Sequence, residues 1–298
     1  MGASPSPFGR TLTAMVTPFT SDGALDVDAA ARVATHLVDN GNDGLVVSGT
    51  TGESPTTTDE EMGRLLAAVV DAVGDRAHVV AGVGTNDTAH SVHLAQQAAK
   101  HGAAGMLIVT PYYSMPPQAG IVAHMTEVAD AGDLPTMVYD IPGRSGVKLS
   151  HDTLIRLAEH PRVVAVKEAS GDLTAGSWVL RETDLAFYSG DDALNLAWLA
   201  HGAVGVVSVV AHAAPRLTAD LVAAMARDDV VEARRIHVDL LPVVRAIMTG
   251  TQKGAIRAKA ALELQGVLTN RNVRRPLIEL ADDDLAVLRA DLIGAGLL

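Results

Sequence analysis

Residues 163–167 read VVAVK: three valines and an alanine that run without a polar break and end in a lysine. Continuous apolar runs of this length, rich in β-branched residues, are typical of parallel strands buried on both faces. Seven further runs of the same kind recur along the chain: Leu12–Thr17, Gly44–Val47, His78–Gly82, Gly105–Thr110, Pro135–Asp140, Leu185–Ser189 and Gly205–Ser208. The sequence therefore predicts eight parallel strands.

Helical stretches lie between these runs and set the fold class. The clearest four are Asp28–Asn40, Thr58–Val73, Thr88–Lys100 and Ser150–Glu159. Successive runs start about 20–35 residues apart, near the roughly 30 residues per unit of an eightfold α/β barrel. The first run leads into Thr17-Pro18-Phe19 and not into the Gly-rich turn that usually follows the first strand of a doubly wound sheet. We therefore expect a closed (β/α)8 TIM barrel over residues 1–230.

The strand pattern disappears near the end of the chain. Three helices are predicted there: Val230–Met248, Ile256–Leu268 and Asp282–Leu297. We expect residues 231–298 to form a C-terminal helical domain. No low-complexity linker precedes it, so it should pack against the barrel.

Composition excludes several classes of protein. Of 298 residues, 48% are hydrophobic and 19% charged, which excludes a disordered chain. The net charge of −12 argues against nucleic acid or an anionic membrane as a partner. The absence of cysteine excludes disulfides, thiolate nucleophiles and cysteine-ligated metals. No apolar run approaches the roughly 20 residues of a membrane span, and no secretory signal is visible, so we expect a cytoplasmic protein.

Lys167 is the first candidate for chemistry, because active sites of such barrels lie at the carboxyl ends of the strands. An ordinary lysine, with a pKa of about 10.4, is only about 0.04% neutral at pH 7. Burial that lowers the pKa to about 7–8 leaves about a tenth to a half as free amine. Such an amine attacks ketones to form a Schiff base. The alternative is a lysine that leaves the barrel and pairs with Glu168.

Other polar residues follow the ends of other predicted strands. Residues 48–54 read SGTTGES, which is either an anion-binding nest of backbone N–H groups or an ordinary Gly-rich turn. Tyr139 is either a catalytic phenol or a core residue, and Arg144 is either a carboxylate clamp or a surface ion-pair partner. Tyr112 and Tyr113 add two more phenols near the same rim.

The sequence predicts no metal and no cofactor. It contains no HExxH pattern, and His90 and His93 share a helix face in the manner of a solvated pair. Asp191 and Asp192 could bind Mg²⁺ from the rim, but helix capping is the better interpretation.

Taken together, these residues resemble the pyruvate-dependent class I aldolases, and among them the synthases that condense pyruvate with L-aspartate 4-semialdehyde on the route to lysine and diaminopimelate. The likeness covers nearly the whole chain. It is carried by AMVTPF (14–19), SGTTGES (48–54), TPYY (110–113), YDIPGRSGVKL (139–149), VKEASGD (166–172), SGDD (189–192), GVVSV (205–209) and KAALELQG (259–266). The resemblance implies an α/β barrel lyase that needs no cofactor, with a covalent Schiff base to pyruvate.

The resemblance also implies four catalytic residues. Lys167 matches the lysine that captures pyruvate, and Tyr139 the tyrosine that moves protons during Schiff-base formation and ring closure. Thr50 matches a member of the proton relay. Tyr113 matches a relay tyrosine that is supplied by a neighbouring subunit, which implies a homotetramer built from two tight dimers.

Substrate-binding roles follow from the same resemblance. Thr51, together with Thr50, matches the residues that bind the carboxylate of pyruvate. Arg144 matches the arginine that holds the carboxylate of L-aspartate 4-semialdehyde. Gly190 and Val207 fall in motifs that line the same family's substrate site.

Two alternatives stay open. Aldolases for N-acetylneuraminate or 2-keto-3-deoxy sugar acids share the lysine and tyrosine, but typically have a serine in place of one of the two threonines and lack the counterpart of Arg144. A non-catalytic relative would have lost several of these residues.

Asp59, Met62 and His90 replace the residues expected of lysine-inhibited members, so we expect weak inhibition by L-lysine. Asp140 and His212 stand where asparagine is frequent.

Overall fold

Eight parallel strands close into a barrel in the computed structural model, which describes residues 6–250 and 252–298. Each strand pairs with the next along the chain, and the last pairs with the first, so the predicted (β/α)8 barrel is confirmed. Residues 1–5 and residue 251 lie outside the described residues. The strands are β1 Thr11–Ala14, β2 Gly44–Val47, β3 His78–Gly82, β4 Gly105–Val109, β5 Thr136–Asp140, β6 Val163–Glu168, β7 Ala186–Ser189 and β8 Gly205–Ser208.

Helices alternate with the strands and surround the barrel. They are α1 Val27–Asp39, α2 Asp59–Val73, α3 Thr88–Lys100, α4 Gln118–Gly132, α5 Pro142–Ser145, α6 His151–Ala158, α7 Leu173–Glu182, α8 Asn195–Ala200 and α9 Pro215–Ala226. The Thr58 hydroxyl accepts from the Glu61 N–H at 3.2 Å, and the Glu61 carboxylate accepts from the Thr58 N–H at 3.0 Å. This capping box satisfies two backbone donors that a helix otherwise leaves unpaired, which is why α2 begins where its sequence predicts.

Three further helices follow the barrel: α10 Val230–Met248, α11 Ala255–Leu264 and α12 Asp282–Gly294. Their apolar faces share one buried cluster with barrel residues, in which Ile236 and Leu240 of α10 join Val206 of β8 and Leu221 of α9. The C-terminal helices thus pack on the barrel. The boundary at residue 231 stays a prediction, since α9 and α10 are also part of this cluster.

Side chains alternate between the inside and the outside of the barrel. Met137 and Tyr139 of β5 belong to the interior cluster, whereas Val138 between them belongs to the cluster beneath the helices. The pleat of a strand requires this alternation. It places Lys167 on the inner row of β6 and Glu168 on the outer row.

The amino-terminal end of the barrel is closed by the chain itself. Phe8 is fully buried, and its backbone N–H donates to the Tyr188 hydroxyl at 3.2 Å, while that hydroxyl donates to the Gly9 carbonyl at 2.9 Å. A Cβ on Gly105, the first residue of β4, would stand 2.3 Å from the Phe8 ring. A glycine at this position therefore makes room for the aromatic plug.

The first strand is shorter than predicted, since it ends at Ala14 and not at Thr17. Beyond it the Val16 N–H donates to His212 Nε2 at 3.1 Å, and His212 Nδ1 donates to the Val209 carbonyl at 2.8 Å. Burial lowers the pKa of His212 to about 4, so the ring is neutral and bridges the ends of β1 and β8. This contact gives His212 a structural role.

No helix in the described part of the chain is both long and apolar enough to cross a membrane.

Candidate active site

Lys167 and Tyr139 lie side by side at the carboxyl ends of adjacent strands. They are register partners of β6 and β5, and Lys167 Nζ stands 4.1 Å from the centre of the Tyr139 ring. Both side chains are buried, at 5% and 4% exposure. Glu168 accepts instead from the Ser170 N–H at 2.9 Å, and in the described residues Lys167 forms no ion pair. The alternative of a Lys167–Glu168 pair is therefore wrong.

The Lys167 amine titrates far below an ordinary lysine. Burial lowers its pKa to about 8, the Arg144 guanidinium adds to that effect, and the Asp192 carboxylate opposes it. At pH 7 about a tenth of such an amine is neutral, compared with about one part in 2,500 for an exposed lysine. The site thus supplies a usable fraction of nucleophile near neutral pH.

Tyr139 shifts in the opposite sense for the same reason. Burial raises the pKa of its phenol above the ordinary value of 10, although Arg144 partly offsets this. The phenol is therefore protonated at neutral pH and able to donate a proton to an adjacent oxygen.

Gly190 provides the space that the lysine occupies. A Cβ at this position would approach Lys167 Cγ, the Glu168 carbonyl oxygen and Ala169 Cβ to within 3.0, 3.0 and 3.1 Å. Its N–H donates to the Glu168 carbonyl at 2.7 Å, which holds the end of β7 against the end of β6. Gly190 thus lies beside the lysine stem, and its substrate-binding role stays a prediction.

A cavity of about 210 Å³ opens at the mouth of the barrel and brings Thr50, Tyr139 and Arg144 together. Arg144 is exposed on the short helix α5, and in the described residues it forms no ion pair within 4 Å. The surface ion-pair interpretation of Arg144 thus has no support, and its planar guanidinium is free to bind a carboxylate.

The SGTTGES turn forms one wall of the cavity. Ser48, its first residue, and Glu53, its last residue but one, both have a φ of 57°, a left-handed conformation that costs a non-glycine residue about 1–2 kcal/mol. Between them Thr50 is exposed and its carbonyl accepts from the Glu53 N–H at 3.2 Å, while Thr51 is buried. Strained backbone of this kind is retained where the surrounding structure over-determines it.

Of the eight predicted site residues, Thr50, Tyr139 and Arg144 line this cavity, whereas Lys167, Thr51, Gly190, Tyr113 and Val207 do not. Tyr113 is 89% exposed, with a φ of 72°, while its neighbour Tyr112 lines the cavity. Val207 is 1% exposed and belongs to the interior cluster that also contains Tyr139. The predicted roles of both residues stay predictions.

Two residues that the sequence analysis named, Ser48 and Asp192, have surroundings that it did not predict. Ser48 lines the cavity, and its buried hydroxyl has no hydrogen-bond partner in the described residues. Asp192 is buried and accepts from the Ser208 hydroxyl and from the Val209 and Val210 N–H groups, while Asp191 is the cap of the following turn. The capping interpretation thus holds for Asp191 only. In the described residues no group of three or more His, Asp or Glu side chains is placed to hold a metal ion.

A closed α/β barrel that buries a lysine against a tyrosine at the carboxyl ends of its strands has the architecture expected of a lysine-dependent aldolase. The sequence matches the profile of the dihydrodipicolinate synthetase family over residues 7–294. The chain belongs to this family.

Individual relatives agree with this assignment. A 4-hydroxy-tetrahydrodipicolinate synthase from Kineococcus radiotolerans is 62% identical over 98% of this chain and 94% of its own length. A crystal structure of a dihydrodipicolinate synthase from Cyanidioschyzon merolae with lysine bound matches 99% of this chain and 100% of its own, with 41% identity and a TM-score of 0.93. The chloride-inhibited dihydrodipicolinate synthase from Acinetobacter baumannii, complexed with pyruvate, matches 98% and 100%, with 32% identity and a TM-score of 0.93. The expected family and class of enzyme are confirmed.

Proposed function

We propose that this protein condenses pyruvate with L-aspartate 4-semialdehyde to give 4-hydroxy-tetrahydrodipicolinate. The observation that carries the proposal is the buried Lys167 amine, with a pKa lowered to about 8, at 4.1 Å from the Tyr139 ring. The names of the relatives and the pyruvate complex of the Acinetobacter baumannii enzyme support the choice of substrates.

The first half of the reaction uses the amine and the phenol. Neutral Lys167 attacks the ketone carbon of pyruvate, and the resulting carbinolamine loses water to give an iminium ion. The protonated Tyr139 phenol supplies the proton that the departing hydroxyl needs. The iminium acidifies the adjacent methyl group, so its deprotonation yields an enamine without a metal or an organic cofactor.

The second half uses the enamine as a nucleophile. Its carbon attacks the aldehyde of the second substrate, and the aldehyde oxygen takes up a proton. The substrate's own amine then attacks the iminium carbon, which closes the six-membered ring and releases Lys167. Arg144, exposed at the mouth of the cavity, is suited to hold the carboxylate of this second substrate. Thr50 and Thr51, on the wall that the Ser48–Glu53 turn forms, are assigned the carboxylate of pyruvate, with Thr50 also in the proton relay.

The proposal includes a cytoplasmic homotetramer in which Tyr113 enters the site of a neighbouring subunit. The 89% exposure of Tyr113 and its positive φ support this role, because an aromatic side chain held outward in a strained conformation is poised to contact another chain. We assign Gly190 and Val207 to the substrate site on the same basis as the family resemblance.

The decisive experiment is reductive trapping. Borohydride with pyruvate should add a covalent adduct to the wild-type protein, and Lys167→Ala should abolish it. Lys148→Ala is a matched control, because Lys148 is an exposed lysine paired with Asp172 outside the cavity. An adduct that survives Lys167→Ala would contradict the proposal. Comparison of ring formation from aspartate semialdehyde with cleavage of N-acetylneuraminate or keto-deoxy sugar acids then identifies the second substrate.

A further inference from the structure

Glu53, at the end of the SGTTGES turn, forms a buried ion pair with the C-terminal helices. Its carboxylate accepts from Lys259 Nζ of α11 at 2.5 Å, across 206 positions of sequence. Both side chains are 1% exposed. A buried pair of this kind contributes little net stability, because the loss of hydration offsets the attraction. Its presence therefore calls for another explanation.

The other oxygen of the same carboxylate is also held from the C-terminal region. It accepts from the Arg274 backbone N–H at 2.9 Å, while Lys259 Nζ donates a second hydrogen bond to the Asn272 carbonyl at 2.7 Å. Both Glu53 oxygens are thus fixed by groups outside the barrel.

The loop that carries Arg274 is itself attached to the barrel. The Arg274 guanidinium donates to both carboxylate oxygens of Glu61, at 2.6 and 2.7 Å, and lies 4.2 Å from the Phe19 ring. Lys259 Nζ lies at the same distance from that ring. Phe19, Glu53 and Lys259 belong to three motifs of the family resemblance, AMVTPF, SGTTGES and KAALELQG, and the structure brings them into one cluster.

The cluster acts on the part of the turn that faces the cavity. Glu53 lies three residues after Thr50 and closes the turn through its own N–H, and it does so in a left-handed conformation. The Thr17 hydroxyl also donates to the Gly52 carbonyl at 2.6 Å. Fixing Glu53 therefore fixes the direction of the backbone N–H groups and hydroxyls of Thr50 and Thr51.

We propose that Glu53 and Lys259 are positioning residues, through which the C-terminal helices hold the SGTTGES turn in the shape that binds the carboxylate of the keto-acid substrate. The inference rests on the proposed function, since it assigns the keto acid to this turn. It predicts that loss of the pair weakens pyruvate binding selectively, because the aldehyde substrate is held elsewhere, by Arg144.

The test compares Glu53→Gln, Lys259→Met and the double variant with wild type. The readouts are the KM values of pyruvate and aspartate semialdehyde, and the pyruvate concentration that gives half-maximal borohydride trapping. We expect the pyruvate values to rise at least tenfold in both single variants, while the KM of the aldehyde changes less than twofold. The double variant should resemble the single ones and not show the product of their effects.

Arg257→Met is the matched control. Arg257 is a buried cation of the same helix, but it pairs with Asp284 of α12 at 3.1 Å and has no contact with the turn. Its pyruvate KM should stay within twofold of wild type. Folding of every variant is checked by circular dichroism before assay.

Three results would overturn the inference: an unchanged pyruvate KM in folded single variants, an equal rise in Arg257→Met, or an equal rise for both substrates. If the single variants do not fold, the double variant, which leaves no charge unpaired, decides by the same criteria. If wild type itself traps no pyruvate, the proposed function fails. If wild type traps pyruvate and the variants match it, only the positioning role fails.

Discussion

Asp140→Asn should stabilise the protein at neutral pH and much less in mild acid. Asp140 follows Tyr139 on the outer row of β5, is 2% exposed, and is the register partner of Glu168 on β6. Burial raises its pKa from 3.8 to about 7, the Glu168 carboxylate adds to this, and Lys148 opposes it. Its Oδ1 accepts from the Leu149 N–H at 3.1 Å, a hydrogen bond that asparagine retains.

The direction in which pH changes the free energy of unfolding follows from proton linkage. The unfolded chain releases the Asp140 proton above its ordinary pKa of 3.8, whereas the folded protein holds it until about pH 7. The free energy of unfolding therefore falls as pH rises through this window. The full difference corresponds to about 4 kcal/mol. Asp140 lines a cavity of about 260 Å³, which gives its carboxylate room to be hydrated and reduces this difference. We therefore expect the difference in unfolding free energy between Asp140→Asn and wild type to widen by about 2–3 kcal/mol from pH 4.5 to pH 8.

The assay is thermal and urea unfolding of both proteins across this pH range. For a chain of this length the gap corresponds to a change of about 3–5 °C in the difference between the two Tm values. Asp75→Asn is the control, because Asp75 is exposed and its side chain has no ion-pair partner in the described residues, so this substitution removes the same charge without the burial. A Tm difference that is constant from pH 4.5 to 8, or the same trend in the control, would refute the assignment of a raised pKa to Asp140.

Three more predictions follow from the site and its surroundings. The kcat/KM for pyruvate should rise with pH up to about 8 and then level off, because only the neutral Lys167 amine attacks; a flat profile between pH 6 and 9 would contradict this. As pH falls from 6.5 to 4, the free energy of unfolding should fall by about 3 kcal/mol on account of His212, because the buried ring stays neutral and only the unfolded chain takes up the proton. Urea unfolding of His212→Asn should show a smaller fall in the free energy of unfolding over the same pH range. L-Lysine at 1 mM should leave most of the activity intact, and half-inhibition at submillimolar lysine would count against the interpretation of Asp59, Met62 and His90.

The barrel could be predicted from the sequence because each of its strands and helices is determined by residues that are close together in the chain. A parallel strand buried on both faces must be continuously apolar, so each strand is visible in a short window of sequence. The pairing of Lys167 with Tyr139 also follows, since each residue lies near the end of its run and consecutive strands of such a barrel are neighbours. Helix caps such as Thr58 depend on three or four consecutive residues and can be predicted from the sequence in the same way.

Contacts between distant segments could not be predicted in this way. Nothing near Glu53 indicates that its partner is Lys259, and nothing near Val16 indicates that it leaves the strand to bind His212. Asp192 looks like a second capping residue until the loop after β8 folds onto it. Each of these contacts joins polar groups that the closed barrel buries together, and only the three-dimensional arrangement shows which partners meet.

The aromatic plug at the amino-terminal end of the barrel affects how substrates enter the site and how products leave it. In the described part of the chain, Phe8 and Tyr188 close that end of the barrel, so we expect molecules to approach Lys167 from the carboxyl ends of the strands. We therefore expect the substrate that binds next to Lys167 to enter before a substrate that binds nearer the mouth. We also expect the product to leave the site before the next substrate molecule can reach the Lys167 amine.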